Sequence, residues 1–394
     1  MRIVVSPPLR GWRFSPAGLP KGRLNVMDTP RVDLAGKVTR EFVRQGNFSG
    51  EPLVLADVGV SGGIPAYWRQ FEPHLAAFGF DTLVRECERL NREEPNPRVR
   101  YFDRFVGWDG YRDLFPESIE KDTVAGWSNQ PFPRTSAVRL QRAQDAPFAK
   151  YYNANDPELV YTSRRTSLDA FFAEHPGVRV DFIKIDTDGH DYEVLCGARR
   201  VLEEHQVLGL LVEMQFHGVA HPHANLFANI DRLLREHGFS LFDLESYRYT
   251  RAGLPGRFVY RLPAQTRQGQ VLAGDALYLR DAAAPGYEDR WGGPLPEPKL
   301  LKLICLFEIF GLPDCAAELL ELKRDQLKNL DVPGLLDMLA AEMHPGIGSY
   351  AEVNRRFSQS PERFYPRAPV ALVRRLLPGP IYRFLRAVRR RLRA

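Results

Sequence analysis

The chain has 394 residues, 44% of them hydrophobic and 26% charged, which is enough for one large globular domain and a smaller one. No apolar run approaches the roughly 20 residues needed to span a bilayer, and Met1 to Pro20 lacks the apolar core and cleavage site of a signal peptide. The net charge of +5 reflects an arginine-rich stretch that begins at Arg374, so the rest of the chain gives no electrostatic reason to expect nucleic-acid binding.

Residues 1–50 combine turn formers with basic residues and predict an N-terminal arm, whose only helical pattern runs from Leu34 to Val43. The first strand is predicted at Leu53–Val58, an apolar run that ends at a glycine-rich turn. Strands and helices then alternate, with strands predicted at Leu75–Phe80 and Val99–Val106 and helical patterns over Tyr67–Phe71 and Val84–Leu90.

Between residues 107 and 165 the regular pattern stops, and aromatic residues are spread among prolines, glycines and charges. Long irregular segments within compact domains are usually functional or disordered, and the aromatic content argues against complete disorder. We expect either a lid over the substrate or an insertion that only packs on the domain.

The alternation resumes after residue 165. The predicted elements are a helix at Leu168–Ala173, a strand at Val180–Ile185, a helix from Asp191, a strand at Val207–Val212, a helix at Asn225–His237, and strands at Phe239–Leu244 and Ala276–Leu279. The last strand has no full helix before it, which predicts that it enters the sheet antiparallel. Strands alternating with helices predict an α/β fold over residues 51–282, with a doubly wound, Rossmann-like sheet.

The character of the chain changes after Pro294. Helical patterns predict a small helical appendage over residues 296–345, followed by a basic C-terminal tail over residues 346–394. Apolar residues near the end of the tail share one helical face, opposite arginines that run from Arg383 to Arg393. Such a helix can lie on an anionic membrane surface or pack on the acidic part of its own protein, and both alternatives are open.

Three acidic residues follow the strand at Val180–Ile185 within six positions, as Asp186, Asp188 and Asp191, together with Gly189 and His190. The carboxyl ends of strands are where open α/β sheets bind ligands. Carboxylates this close repel one another unless a ligand or a donor compensates them. Helix capping would explain one of the acids but not all three. The sequence therefore predicts a functional site at this turn.

A second candidate site follows the first strand, where Asp57, Gly59, Ser61 and Gly63 form a glycine-rich turn into a helix. Asp81 ends the next strand about 20 residues later, the position from which a carboxylate accepts hydrogen bonds from ribose hydroxyls. Together these residues predict a cofactor that contains adenosine. The turn lacks the GxGxxG pattern of a pyrophosphate site, which favours S-adenosylmethionine over a dinucleotide.

These motifs resemble the FkbM-type family of S-adenosylmethionine-dependent methyltransferases. The family has a first motif D-x-G-A-N-x-G and a later K-I-D-x-E-G-x-E followed by V-L-x-G-A. The chain matches the first with Asp57, Gly59 and Gly63, and the second with Lys184–Asp186, Asp188–Asp191 and Val194–Ala198. The resemblance covers roughly residues 50–282. The chain departs from it at Ser61, at the two shorter acids Asp188 and Asp191, and at His190.

The resemblance implies a seven-stranded methyltransferase sheet, S-adenosylmethionine as the cofactor, and methyl transfer to a hydroxyl of a sugar, glycan or natural product. Asp186 is expected to position the cofactor or the acceptor, and either Asp188 or His190 to act as the base. For His190 the alternative of a surface residue in a first helical turn stays open. Glu213 and His217 follow the fifth strand and are expected to bind the acceptor. No metal is expected, because the segment around them is interrupted by Gly218 and Pro222.

Two other functions compete with this reading. The fold could serve as a non-catalytic module that binds a cofactor or a partner, although the acidic turn argues for chemistry. A nicotinamide-dependent oxidoreductase is disfavoured by the absent GxGxxG pattern. The four cysteines lack metal-binding spacing and predict free thiols in a cytoplasmic compartment, with a peripheral site at the inner membrane surface if the basic tail binds lipid.

Overall fold

The computed structural model describes residues 36–116, 160–187, 189–249, 266–291, 293–344 and 346–364. Most of the predicted N-terminal arm, the bulk of the aromatic insertion and the amphipathic tail helix lie outside these ranges. Within them, no helix is long and apolar enough to cross a bilayer. The chain divides into two compact units, Met1–Lys328 and Asn329–Ala394.

A seven-stranded sheet forms the centre of the first unit. Its strands are β1 (Leu53–Val58), β2 (Leu75–Asp81), β3 (Val99–Asp103), β6 (Phe182–Ile185), β7 (Gly209–Gln215), β8 (Ser240–Tyr249) and β9 (Gln270–Leu279). A separate parallel pair is formed by the short strands β4 (Phe105–Val106) and β5 (Arg165–Thr166). The order across the sheet is β3-β2-β1-β6-β7-β9-β8. Strands β3, β2, β1, β6 and β7 are parallel, and β9 is antiparallel to both β7 and β8. The predicted fold and the antiparallel entry of the last strand are therefore confirmed.

Helices cover the sheet and explain why its central strands are apolar. Within the described part of the first unit, the α-helices are α1 (Lys37–Arg44), α2 (Val84–Glu93), α3 (Leu168–Ala173), α4 (Asp191–Cys196), α5 (Arg199–Glu204), α6 (Phe227–Glu236), α7 (Tyr287–Trp291), α8 (Glu297–Ile309) and α9 (Pro313–Leu322). All six residues of β1 and all four of β6 are buried, as expected for parallel strands in the middle of a layered α/β domain. Val58, Ile183, Ile185 and Val212 pack in one core with side chains from α4, α5 and α6.

The strand order reverses beside β1. From β1 the chain runs outward to β2 and β3, and it then returns to pair β6 on the other side of β1. Such a reversal opens a crevice at the carboxyl ends of the strands, where this class of sheet binds its ligands. The glycine-rich turn after β1 and the acidic turn after β6 both leave the sheet at this crevice.

The predicted third strand, Val99–Val106, is two strands in the structure. Its first part pairs with β2, and the backbone N–H of Arg104 then donates to the carbonyl of Asp81 at 3.0 Å. Beyond that point Phe105 and Val106 pair with β5 instead. Apolar residues lie on both sides of Asp103 and Arg104, which is why the sequence pattern predicted one continuous strand. The segment predicted as a helix at Tyr67–Phe71 is a 3₁₀ helix, Ala66–Phe71.

Helices α8 and α9 lie in the first unit, so the boundary predicted near residue 296 does not coincide with the boundary between the units. Nearly all of α8 is buried, including two lysines whose ammonium groups contact the buried carboxylate of Asp181. Lys299 Nζ lies 2.7 Å and Lys302 Nζ 3.0 Å from its oxygens. The second unit contains α10 (Val332–Met343) and α11 (Tyr350–Gln359), which begin at side-chain caps from Asp331 and Ser349.

Candidate active site at the carboxyl ends of the strands

The turn after β1 passes directly against the end of β6. Gly59 has a φ of +85°, and a Cβ atom at this position would lie 1.8 Å from the carbonyl oxygen of Asp186. Its backbone N–H donates to the carbonyl of Phe80 at 2.8 Å. Glycine is therefore required twice over, by the positive φ and by the close approach of another backbone. The predicted cofactor turn and the predicted acidic turn are neighbours in space.

Ser61 and Asp81 are also brought together, as the proposed ribose site requires. The Ser61 hydroxyl donates to Asp81 Oδ2 at 2.5 Å, and the backbone N–H of Leu83 donates to Oδ1 at 2.9 Å. Gly63, with a φ of +86°, lets the same turn lie close to the side chain of Leu90. These contacts hold the Asp81 carboxylate in one orientation at the carboxyl end of β2.

Lys184 links the two carboxylates that the sequence assigned to different motifs. Its ammonium lies 3.0 Å from Asp186 Oδ2 and 3.4 Å from Asp57 Oδ1. All of Asp57 and most of Lys184 are buried, so the ammonium compensates negative charge that burial would otherwise penalise. Lys184 was identified only as part of a motif. The sequence did contain a signal for this role, because Lys184 is a lysine inside an otherwise apolar strand.

Asp191 holds the acidic turn in shape. Its carboxylate accepts hydrogen bonds from Thr187 N–H at 3.0 Å, Thr187 Oγ1 at 2.8 Å, Gly189 N–H at 3.3 Å and Asn225 Nδ2 at 3.2 Å. Burial raises the pKa of Asp191 above its usual range, which these donors partly offset. Asp191 thus organises the turn, while Asp188 lies outside the described residues. Asp186, whose side chain is 21% exposed, is the described acid of this turn that can face a ligand.

His190 is oriented by a buried carboxylate that sequence reasoning missed. Its Nδ1 lies 3.0 Å from Glu193 Oε2, and the other Glu193 oxygen accepts a hydrogen bond from Arg165 at 2.9 Å. The imidazole and the ring of Phe105 pack edge to face, with 5.1 Å between ring centroids. The spacing of His190 and Glu193 at i and i+3 was the signal, because such residues meet on a helical turn.

A row of acidic side chains extends the site across β7, β9 and β8. Glu213, Asp275 and Glu245 occupy directly opposite positions on these three strands, and the hydroxyl of Tyr247 donates to Asp275. Burial, followed by the nearby charge of Asp186, raises the pKa of Asp275 to about 6. Glu213 was predicted. Asp275, Glu245 and Tyr247 were not, because cross-strand register cannot be read from a single sequence.

His217 lies at the end of β7 and is turned toward the first residues of β9. Its Nε2 is 2.9 Å from the carbonyl oxygen of Val271, to which it donates, and 3.1 Å from Gln270 Nε2. Among the described residues, no group of three or more histidines, cysteines and acids is arranged to hold a metal ion. The expectation that the protein uses no metal stays a prediction.

Residues 107–241 match the family model described as the methyltransferase FkbM domain. The match includes β6, the acidic turn and β7, and it confirms the resemblance that the Lys184–Asp191 motif indicated. It also confirms the expected cofactor, because that family uses S-adenosylmethionine. The glycine-rich turn and Asp81 precede the matched residues, so their roles stay predictions. No curated protein matched the sequence.

Three solved structures similar to the chain are also methyltransferases. One is a magnesium protoporphyrin IX methyltransferase (ChlM) from Synechocystis PCC 6803, with 9% identity and a TM-score of 0.27 over 66% of this chain and 86% of that one. A SAM-dependent methyltransferase from Aquifex aeolicus has 10% identity and a TM-score of 0.26 over 64% and 91%. A precorrin-6y C5,15-methyltransferase from Geobacter metallireducens GS-15 has 10% identity and a TM-score of 0.26 over 64% and 96%. The fold of this chain is defined by its own strand order.

Proposed function

We propose that this protein is an S-adenosylmethionine-dependent O-methyltransferase that acts on a hydroxyl group of a sugar, a glycan or a natural product. The observation that carries the proposal is the meeting of two turns at the crevice beside β1. The glycine-rich turn with Asp81 is on one side, and Asp186 with Lys184 is on the other. The FkbM domain match over residues 107–241 supports the same chemistry.

The turn after β1 fits a cofactor without phosphate groups. The backbone N–H of Gly62 donates to the carboxylate of Glu86 at 2.9 Å, so this N–H is already used by an anion. A pyrophosphate at this turn would face Glu86 and the buried Asp57, whose charges oppose it. S-adenosylmethionine has the adenosine of a dinucleotide but no phosphate. The nicotinamide-dependent alternative is disfavoured for this reason.

Each residue around the crevice has a role in holding this cofactor. Asp81, oriented by Ser61 and Leu83, accepts hydrogen bonds from the ribose hydroxyls. Gly59, Ser61 and Gly63 let the backbone approach the cofactor closely. Asp57 and Asp186, which share the ammonium of Lys184, face the positively charged methionine end. When bound, the cofactor supplies an electrophilic methyl group on a sulfonium sulfur.

On the acceptor side, His190 is the candidate for the base. Methyl transfer is an in-line displacement whose rate depends on alignment, and an alcohol must lose its proton as the new bond forms. A neutral imidazole has a ring nitrogen that can accept this proton. Glu193 holds His190 Nδ1 and leaves the other ring nitrogen to face the acceptor. Asp188 is the second candidate, and Glu213 and His217 are proposed to bind the acceptor.

A calorimetric titration with S-adenosylhomocysteine tests the cofactor assignment, with the reduced nicotinamide cofactors as the comparison. We expect heat with the former alone. Asp81→Ala removes a charged acceptor of hydrogen bonds, worth about 1.5–3 kcal/mol per bond, so the affinity should fall on the order of 10- to 100-fold. The matched control is Asp103→Ala, since Asp103 is the register partner of Asp81 at the end of β3. Absence of heat with S-adenosylhomocysteine contradicts the proposal.

Transfer itself is tested by mass spectrometry of glycans from a deletion strain, in which one or more species should lack the mass of a single added CH₂ group. With the acceptor in hand, Asp186→Asn and His190→Ala should each reduce turnover while S-adenosylhomocysteine still binds His190→Ala normally. Full transfer activity of Asp186→Asn would show that the site is wrongly assigned. Cofactor binding without transfer to any acceptor would favour the non-catalytic module instead.

A further inference from the structure

Gln215, the last residue of β7, has a buried side-chain amide that no described residue satisfies. The residue is 1% exposed, and neither its Oε1 nor its Nε2 has a hydrogen-bond partner among the residues that the structure describes. An unsatisfied buried polar group destabilises a folded protein. Such groups are rare in folded proteins and call for an explanation. The position of Gln215 supports one such explanation, namely that a ligand forms hydrogen bonds with the amide.

The side chain of Gln215 lies on the same face of the sheet as the acidic row. Side chains alternate along a strand, so Gln215 shares a face with Glu213. Its partner across the ladder is Ala273, and Ala273 in turn pairs with Tyr247 on the far side. Ala273 contributes only a methyl group to this row, between the amide of Gln215 and the side chain of Tyr247. Asp275 lies two residues along β9 on that face and accepts a hydrogen bond from Tyr247.

This group of side chains adjoins the proposed transfer site. Ile185 pairs with Val212, so the next positions on these two parallel strands are Asp186 and Glu213. Asp275 is the cross-strand partner of Glu213. Burial, followed by the charge of Asp186, raises the pKa of Asp275, as expected for a carboxylate near another negative charge. Gln215 is therefore one row beyond Asp186, on the acceptor side of the crevice.

We propose that Gln215, with the Asp275–Tyr247 pair, forms a subsite that binds a second hydroxyl group of the acceptor, adjacent to the hydroxyl that is methylated. This inference rests on the proposed function and adds to it a residue that determines acceptor specificity. A hydroxyl both donates and accepts hydrogen bonds, and the amide of Gln215 offers one acceptor and one donor atom to match it. Asp275 supplies a further acceptor. The subsite selects acceptors with neighbouring hydroxyls, because an acceptor with only one hydroxyl leaves the buried amide unsatisfied.

The test uses two small alcohols as probes, trans-1,2-cyclohexanediol and cyclohexanol, with the full-length protein saturated with S-adenosylhomocysteine. Saturation-transfer NMR measures the dissociation constant of each. We expect the wild-type protein to bind the diol about 5- to 10-fold more tightly, the contribution of one additional net hydrogen bond. Gln215→Met keeps the size of the side chain and removes its polar atoms. It should abolish the preference for the diol, while Gln45→Met on the exposed end of α1 should retain it.

A second measurement separates a binding role from a structural one. If the amide has no partner in the folded protein, Gln215→Met removes an unsatisfied group and should raise the free energy of unfolding in chemical denaturation. A loss of stability would show that the amide is satisfied within the protein and would overturn the proposal. Equal binding of the two alcohols, binding of neither, or an unchanged preference in Gln215→Met would also overturn it. Calorimetry with S-adenosylhomocysteine tests the cofactor site separately, so a failure of the subsite is distinguishable from a failure of the proposed function.

Discussion

Replacing Gly59 with alanine should disrupt both the stability of the fold and the cofactor site. The new Cβ atom would lie 1.8 Å from the carbonyl oxygen of Asp186, and the residue would keep a φ of +85°. The left-handed conformation costs a residue with a side chain about 1–2 kcal/mol. Forcing an extra carbon into a filled space costs about 1–3 kcal/mol more. We therefore expect Gly59→Ala to lower the free energy of unfolding by about 2–5 kcal/mol.

The clash also predicts where the damage occurs. The atom that would be struck belongs to the backbone, so relief requires the end of β6 to move away from the turn after β1. Such a movement changes the distances from Lys184 to Asp57 and Asp186, which are now 3.4 and 3.0 Å. Affinity for S-adenosylhomocysteine should therefore fall by more than the loss of stability alone would produce, because the two sides of the crevice no longer match.

Gly62→Ala is the matched control. Gly62 lies in the same turn with a φ of +83°, but no heavy atom lies within 4 Å of the position that its Cβ would take. It should lose only the conformational contribution, about 1–2 kcal/mol, and retain most of its affinity for the cofactor. Urea denaturation of the two variants, followed by calorimetry at a temperature where both are folded, makes the comparison. Equal losses in the two proteins would refute the argument from the Asp186 carbonyl.

Three further changes test the electrostatics and the turn. Lys184→Met leaves the carboxylates of Asp57 and Asp186 without their ammonium and should lower the free energy of unfolding by about 3–5 kcal/mol in urea denaturation. An unchanged free energy of unfolding would contradict this. For Asp275, whose pKa is raised to about 6, the folded state holds the proton more tightly than the unfolded state. The stabilisation that results is complete below pH 4 and is lost as the pH rises through about 6. In denaturation curves over this interval, the free energy of unfolding of the wild type should fall by up to about 3 kcal/mol relative to Asp275→Asn. Asn225→Ala removes the side chain that binds both Asp191 and the N–H of Tyr192, and hydrogen exchange should show faster opening of the turn at Gly189 and Tyr192, whereas unchanged exchange would show that Asn225 does not hold the turn.

Local sequence patterns were sufficient to predict most strands and helices of the fold and the kind of site. Leu53–Val58 and Phe182–Ile185 are apolar because parallel central strands are covered on both faces, so a run of such residues is a reliable signal. Gly59 indicated a position where a side chain cannot be placed, and the structure shows that the carbonyl oxygen of Asp186 is the atom that a side chain would strike. The acids after β6 indicated a site because a carboxyl edge of an α/β sheet is where ligands bind. Each of these signals depends on residues close together in the chain.

Which of those residues contact one another depends on the three-dimensional arrangement of the strands. Asp191 holds the turn, whereas Asp186 is the acid that can face a ligand. The two roles could be told apart only from the positions of Thr187 and Asn225. The pairing of Lys184 with Asp57, the placement of Asp275 between Glu213 and Glu245, and the position of Gln215 on the same face as Glu213 all depend on strand register. Register is set by packing over the whole sheet, and a shift of one residue would turn every one of these side chains to the opposite face. Local pattern therefore predicts that a site exists, whereas its charge balance and its specificity are properties of the assembled sheet.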